Sequence, residues 1–157
     1  MHIIGVALCL EGSPRIPRLR DELRRVGLAD VIHIMLSKRD ACDGVRGCFE
    51  AHQRALRHVV EHPTCTSETL ALIVEDDVEF ETQDVFKALE DARRVLVTQT
   101  VDIVALGGVP ITPLRKIDDH PNIMRAMFQM THAYVVDIRT AKEIMKWQFV
   151  YHKRFFR

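Results

Sequence analysis

The sequence predicts an α/β domain with a mainly parallel central sheet and helices on both faces. Two observations carry this prediction. Short apolar runs alternate along the chain with segments whose apolar residues recur at helical spacing. The run at residues 70–74 is entirely aliphatic, as is typical of a strand buried on both faces. With 157 residues, the chain is expected to form a single domain over residues 1–157.

The first half of the chain is expected to contribute two strands and two helices. Residues 3–10 and 31–36 are apolar runs of strand length, and a turn cluster follows the first of them. Between them, residues 16–26 carry apolar side chains at helical spacing, and Gly27 closes this helix. A longer amphipathic segment predicts a helix over residues 45–62, which ends at the next proline.

The second half begins with the central strand at residues 69–74, and Asp84 is expected to cap a helix that reaches residue 96. Gly107-Gly108 is expected to end the next strand, and three prolines predict a loop over residues 110–122. The remaining predicted elements are strands at residues 101–106, 123–127 and 133–136 and a helix at residues 139–147.

The balanced charge argues against a nucleic-acid or anionic lipid partner. Lys plus Arg and Asp plus Glu both number 22, so the formal net charge is zero. A basic cluster is nevertheless present early in the chain; it consists of Arg15, Arg18, Arg20, Arg24 and Arg25. No run approaches the ~18 apolar residues of a membrane span, so no transmembrane segment is expected.

The four cysteines have no Cys-x-x-Cys spacing, which favours a reducing, cytoplasmic setting. Cys9 and Cys48 lie on apolar surfaces of predicted elements, and both are interpreted as small core residues.

The strongest chemical feature is the acidic junction, Glu75, Asp76 and Asp77, directly after the central strand. Three adjacent carboxylates repel one another unless a cation or basic side chains offset them. In an extended segment Glu75 and Asp77 point to one face and Asp76 to the other. Glu75 and Asp77 could therefore serve one metal–diphosphate site, or Asp76 could face a ribose while Asp77 binds the metal. A solvated acidic turn is the simpler alternative.

Four motifs occur in a fixed order within residues 4–145. They are Gly47-Cys48-Phe49-Glu50-Ala51-His52, residues 71–78 (Ala-Leu-Ile-Val-Glu-Asp-Asp-Val), residues 101–107 (Val-Asp-Ile-Val-Ala-Leu-Gly) and residues 131–136 (Thr-His-Ala-Tyr-Val-Val). In this order they resemble glycosyltransferase family 25, the lipopolysaccharide-type and procollagen galactosyltransferases. Ala51 stands where the family usually has serine, and the chain is shorter than typical members beyond its last helix.

The resemblance implies a GT-A fold and metal-dependent, inverting transfer of a sugar to a hydroxyl of a glycan or glycosylated acceptor. The implied donor is a nucleoside diphosphate sugar, with a UDP-hexose favoured, and the implied cofactor is Mn²⁺ or Mg²⁺. Asp77 is the favoured metal ligand, together with Glu75, and Asp76 is the next candidate. The residues expected to bind the donor are Arg15, Arg18, Arg46, Glu75, Asp76 and Gly107.

The candidate catalytic residues are His52, Asp76 and His132. His52 either faces the sugar, braces the acidic junction or is an ordinary core histidine, and His132 beside Tyr134 has a similar ambiguity. The arginines have the simpler interpretation of surface charges, and Gly107 that of a tight turn. Asp118 and Asp119 are weaker candidates in the proline-flanked loop.

Two other functions stay open at this point. The shortened C-terminus and the tail at residues 151–157, with Phe155 and Phe156, suggest a non-catalytic nucleotide-binding or assembly module. That tail could contact a further domain or a second copy of the chain. A phosphoreceiver domain is less compatible, because the first strand ends in Glu11-Gly12-Ser13 where an acidic pair would be needed.

Overall fold

A computed structural model describes residues 1–81, 84–98, 101–117, 120–126 and 128–148 of the chain. The strands are β1 (His2–Leu10), β2 (Ile32–Ser37), β3 (Thr69–Glu75), β4 (Ile103–Pro110), β5 (Arg115–Ile117), β6 (His120–Arg125) and β7 (Phe128–Asp137). The helices are α1 (Ile16–Arg25), α2 (Gly44–Val60), α3 (Val85–Val97) and α4 (Ile138–Ile144). The predicted α/β alternation is therefore confirmed through α3.

Five strands form one mixed sheet in the order β2-β1-β3-β7-β4. β1 pairs in parallel with β2 and β3, whereas β7 pairs antiparallel with β3 and β4. β5 and β6 form a separate antiparallel pair. The prediction of a mainly parallel sheet is wrong, because two of the four pairings within the five-stranded sheet are antiparallel, as is the separate β5–β6 pair. The physical reason is that the small β5–β6 pair joins β4 to β7 in place of a crossover helix.

Helices cover both faces of this sheet, as predicted. Along β3, Leu72 and Val74 point to one face, whereas Ala71 and Ile73 point to the other, and all four are fully buried. The first face packs against buried residues of α1 and α3 and the second against those of α2 and α4. Such burial of aliphatic side chains is the main stabilising contribution to the fold.

Two helix boundaries that were predicted from local sequence patterns are confirmed. Gly27 has a φ of 75° just after α1, a left-handed conformation that glycine adopts without strain. Asp84 caps α3, because its carboxylate accepts a hydrogen bond from the backbone N–H of Lys87 at 3.1 Å.

The region after α3 departs from the prediction in two ways. Gly107 and Gly108 do not end β4, which continues to Pro110 with register irregularities on either side of Gly107. The expected loop at residues 110–122 contains β5 and the start of β6. Proline is compatible with this pair, because prolines are tolerated on edge strands.

The two cysteines that were expected in the core differ in their burial. Cys9 is buried, which confirms the prediction, but Cys48 is exposed, which makes the prediction for it wrong. Burial along α2 begins only at Ala51, so the first turns of that helix do not contribute to the core. Asp118, Asp119 and the tail at residues 151–157 lie outside the described residues.

Within the described ranges, no helix combines the length and the apolar character needed to cross a membrane.

Candidate metal and phosphate site

The acidic junction lies at the carboxyl end of β3, in the middle of the sheet. Glu75 is the last residue of β3 and is paired in register with Leu8 of β1. The chain then turns at once, since the N–H of Val78 donates to the carbonyl of Glu75 at 3.2 Å. The three carboxylates therefore gather where parallel strands of an α/β sheet usually present their ligands.

Asp76 is held by the loop between β1 and α1. Ser13 Oγ donates to Asp76 Oδ2 at 2.7 Å, and Arg15 Nη1 donates to Asp76 Oδ1 at 3.1 Å. Gly12, with a φ of 75°, makes the turn that brings this loop to the junction. Both carboxylate oxygens of Asp76 already accept hydrogen bonds, so the geometry gives Asp76 the role of fixing the loop.

Arg15 also contacts the next carboxylate. Its Nη1 lies 3.5 Å from Asp77 Oδ2, and its side chain is 56% exposed. One guanidinium thus offsets part of the charge of two aspartates while most of its N–H groups face solvent. Such an arrangement suits the binding of phosphate oxygens by the remaining donors.

Asp77 belongs to a group of possible metal ligands with Glu75 and His132. One ligand atom from each of the three lies within 4.8 Å of the others. His132 comes from β7, and its Nδ1 is 2.9 Å from Asp77 Oδ1. The side chains of His132 and Asp77 are 31% and 35% exposed, so the group is open to solvent. Two carboxylates are ligands that Mn²⁺ and Mg²⁺ favour, and this donor set therefore fits either predicted cofactor.

His52, on α2, also contacts the acidic junction. Its Nδ1 is hydrogen-bonded to the hydroxyl of Tyr134 at 3.1 Å, and its Nε2 lies 3.5 Å from Glu75 Oε1. Cys48, one turn earlier on α2, completes a second group whose ligand atoms lie within 4.8 Å of one another.

These neighbours control the charge of the imidazole. Burial disfavours the imidazolium, but the Cys48 thiol and the Glu75 carboxylate outweigh it and raise the pKa of His52 to about 9. Burial, reinforced by the charge of Glu75, also raises the pKa of the Tyr134 hydroxyl, which keeps it neutral. At neutral pH His52 is therefore a cation that faces Glu75.

A cavity of about 560 Å³ opens beside Asp77 and His132. Its polar lining includes Glu79, and its apolar lining includes Leu106 and Gly107. An adjoining cavity of about 750 Å³ shares Leu106 and Gly107 with it. Volumes of this order hold a nucleotide or a sugar. A Cβ on Gly107 would lie 3.8 Å from the Cβ of His132, an ordinary contact, so this glycine is not required by lack of space.

Two predicted donor-binding arginines are engaged elsewhere. Arg18 forms an ion pair with Glu79, and both side chains are largely exposed. Arg46 pairs with Asp40, at 2.7 Å between Nη2 and Oδ2. Backbone N–H groups of Asp43 and Cys42, together with Arg46, lower the pKa of Asp40 to about 2. The structure pairs Arg18 with Glu79, which lines the cavity, and it pairs Arg46 with Asp40 rather than with the acidic junction.

Three residues of the site were not singled out from the sequence. Ser13 was noted only as part of a turn, Tyr134 only within a motif, and Cys48 was assigned to the core. The spacing of Cys48 and His52, four residues apart on a helix, was a signal for a shared face. The partnership of Ser13 with Asp76 spans 63 residues and left no local signal.

Comparisons of the sequence with protein-family models and with curated proteins found no match in either case.

Proposed function

We propose that this protein is a metal-dependent glycosyltransferase that moves a sugar from a nucleoside diphosphate sugar to a hydroxyl of a glycan or glycosylated acceptor. The observation that carries the proposal is the convergence of Glu75, Asp77 and His132 within 4.8 Å at the carboxyl end of the central strand. A UDP-hexose donor, an inverting outcome and a GT-A fold are the finer parts of the same proposal, and they rest on the motif resemblance.

Glu75, Asp77 and His132 are the residues that would hold Mn²⁺ or Mg²⁺. A bound divalent cation supplies a Lewis acid that stabilises the negative charge growing on the diphosphate leaving group. Arg15 would add its free N–H groups to the phosphate oxygens, since only Nη1 is engaged with the aspartates. Asp76 and Ser13 would keep Arg15 in place.

The charge state of His52 gives it a bracing role in this proposal. A general base must be able to accept a proton at the working pH, and a group with a pKa of about 9 is already protonated at pH 7. As an imidazolium between Tyr134 and Glu75, His52 would fix the Glu75 carboxylate for metal binding. His132 belongs to the metal group, with Nδ1 2.9 Å from Asp77 Oδ1, so the proposal assigns neither histidine as the general base.

A thermal-shift panel tests the proposal. Nucleoside diphosphate sugars that differ in base and sugar are added with and without Mn²⁺, and the melting temperature of the full chain is measured. The proposal predicts stabilisation only when metal and a matching donor are both present, since a ligand that binds the folded state raises its stability. Equal melting temperatures across the whole panel would remove the basis for a donor site.

A non-catalytic nucleotide-binding module is the second candidate. The observation that favours it is that Asp76 and His52, two of the three candidate catalytic residues, are both tied into internal contacts. The two candidates differ in turnover. Steady release of UDP from a UDP-sugar in the presence of Mn²⁺ supports the enzyme, whereas stable binding with no release supports the module.

A further inference from the structure

We propose that Cys48, His52 and Glu75 form a zinc site next to the group that holds the hard cation. The proposal does not depend on sugar transfer, because it rests on a different set of ligand atoms and is tested without a donor.

The fold places the three ligands together from two elements. Cys48 and His52 are four residues apart on α2, so their side chains lie on one face of the helix, one turn apart. Glu75 reaches this face from the end of β3, on the side of the sheet that α2 covers. The sulfur, a ring nitrogen and a carboxylate oxygen all lie within 4.8 Å of one another, a spread that a single ion can draw together.

Tyr134 orients the imidazole in the way that metal-binding histidines require. Nδ1 of His52 lies 3.1 Å from the Tyr134 hydroxyl, so a proton kept on Nδ1 is held there while a metal displaces the proton of Nε2, the nitrogen that faces Glu75. Nε2 is buried and has no hydrogen-bond partner among the described residues that meets ordinary geometry. Tyr134 thus fixes the His52 ring through Nδ1, while Nε2 lies buried beside Cys48 and Glu75 in an orientation suited to metal binding.

The donor set selects the metal. A thiolate, an imidazole and a carboxylate together match Zn²⁺, whereas Mg²⁺ takes oxygen ligands. Three protein ligands leave the fourth tetrahedral position to water. Cys48 is exposed, so the ion has a path from solvent.

Glu75 belongs to both groups of ligands, which links the two sites. A zinc ion at Cys48 and His52 draws on the same carboxylate that Asp77 and His132 use. Zinc is therefore expected to weaken Mn²⁺ binding at the neighbouring group.

Cobalt spectroscopy tests the zinc site directly. The chain is freed of metal with a chelator and titrated with Co²⁺, and a sulfur-to-cobalt charge-transfer band is followed in the near ultraviolet. We expect one equivalent to produce the band and Zn²⁺ to abolish it. Cys48→Ser should lose the band, whereas the matched control Cys42→Ser, which changes another exposed cysteine, should retain it. No band in the unaltered chain, or a band that survives Cys48→Ser, would overturn the proposal.

Two further measurements test the zinc site even if the Cys48→Ser variant fails to fold. Tyr134→Phe keeps the buried ring but removes the hydroxyl partner of His52, and should weaken Co²⁺ binding about 10- to 100-fold. In the unaltered chain, Zn²⁺ should slow alkylation of Cys48 while Cys42 continues to react, as read by mass spectrometry. Equal alkylation of both cysteines with and without zinc would contradict the site.

Discussion

The two ends of the central sheet arrange their ionisable groups in opposite ways. At the carboxyl end, three carboxylates face two histidines and an arginine. At the amino end, histidines meet hydroxyl groups and one another. His2 Nδ1 is 2.9 Å from Thr69 Oγ1, and the ring of His33 stacks on that of His58 with centroids 4.7 Å apart.

A single helix shows the consequence. His52 and His58 both lie on α2, less than two turns apart. At the carboxyl end, Cys48 and Glu75 raise the pKa of His52 against the effect of burial. At the amino end, burial lowers the pKa of His58, and the neighbouring His33 and His62 lower it further. The groups at the carboxyl end therefore favour a positively charged histidine, whereas those at the amino end disfavour one. For this reason the cation sites are assigned to the carboxyl end.

The largest expected effect is on Mn²⁺ affinity and comes from changing Glu75, at the carboxyl end of β3. Glu68, just before the amino end of the same strand, provides the matched control. Glu75→Gln removes a ligand that both groups share, so Mn²⁺ affinity should fall by more than about 100-fold, beyond the usual cost of losing an outer partner. Glu68→Gln makes the same change just before β3 and should leave Mn²⁺ affinity unaltered. Calorimetric titration with Mn²⁺ measures both. Equal affinities for the two variants would remove the distinction between the ends.

Arg15 should have opposite effects on cation and nucleotide. Arg15→Gln removes a positive charge from Asp76 and Asp77, so Mn²⁺ affinity should rise by up to about fivefold, as expected for an exposed ion pair. UDP affinity should fall about 10- to 100-fold, because charge-assisted hydrogen bonds to phosphate are lost. Arg24→Gln, on α1 and paired with Asp21, is the control for both titrations. A fall in both affinities would contradict the placement of Arg15.

Glu22 stabilises the segment that follows the acidic junction. It accepts a hydrogen bond from the backbone N–H of Phe80 at 2.6 Å, and it pairs with Arg25 through both carboxylate oxygens. The hydrogen bond from Arg25 is the main reason that the pKa of Glu22 falls from 4.5 to about 2. Glu22→Gln should lower the free energy of unfolding at pH 7 by about 1–3 kcal/mol.

The pH dependence of this effect has a definite sign. Because the folded pKa of Glu22 lies below its ordinary value, its stabilisation is present above pH 4.5 and is lost as the pH falls towards about 2. Urea unfolding at several pH values should therefore show a flatter profile for Glu22→Gln in this window. Asp21→Asn, which changes an exposed neighbour, should keep the steep profile.

The smallest expected effect lies at the amino end. The folded pKa of His58 lies below 6.5, so its neutral form favours folding above that pH, and this contribution is lost as the pH falls below it. His58→Gln should make the free energy of unfolding less dependent on pH between pH 7 and pH 5. Identical slopes for the variant and the unaltered chain would show that the histidine cluster does not contribute.

The sequence sufficed for features that depend on local pattern. The aliphatic run of β3 predicted a buried strand, and its period of two predicted that Glu75 and Asp77 lie on one side and Asp76 on the other. In the structure the chain turns directly after Glu75, and Arg15 contacts both Asp76 and Asp77, so this alternation does not extend past the end of β3.

Features set by distant parts of the chain were not predictable in this way. The insertion of β7 between β3 and β4 depends on strand pairing, and its antiparallel direction on a connection without a crossover helix. The exposure of Cys48 depends on where the sheet ends beneath α2, so helical spacing alone assigned it to the core. The hydrogen bond between Ser13 and Asp76 likewise depends on the position of the loop after β1, because the two residues are 63 positions apart in the sequence.

Calorimetric titration of UDP into the full chain, with Mn²⁺ or with a chelator, tests the central claim most directly. We expect binding that requires Mn²⁺ in the unaltered chain and no metal-dependent binding in Asp77→Ala, because that change removes the carboxylate that Arg15 and His132 both contact. Asp102→Ala, an exposed aspartate just before β4 that pairs with Arg139, should bind as the unaltered chain does. Metal-dependent UDP binding that is unchanged in Asp77→Ala would contradict the assignment of the carboxyl end as the metal–diphosphate site.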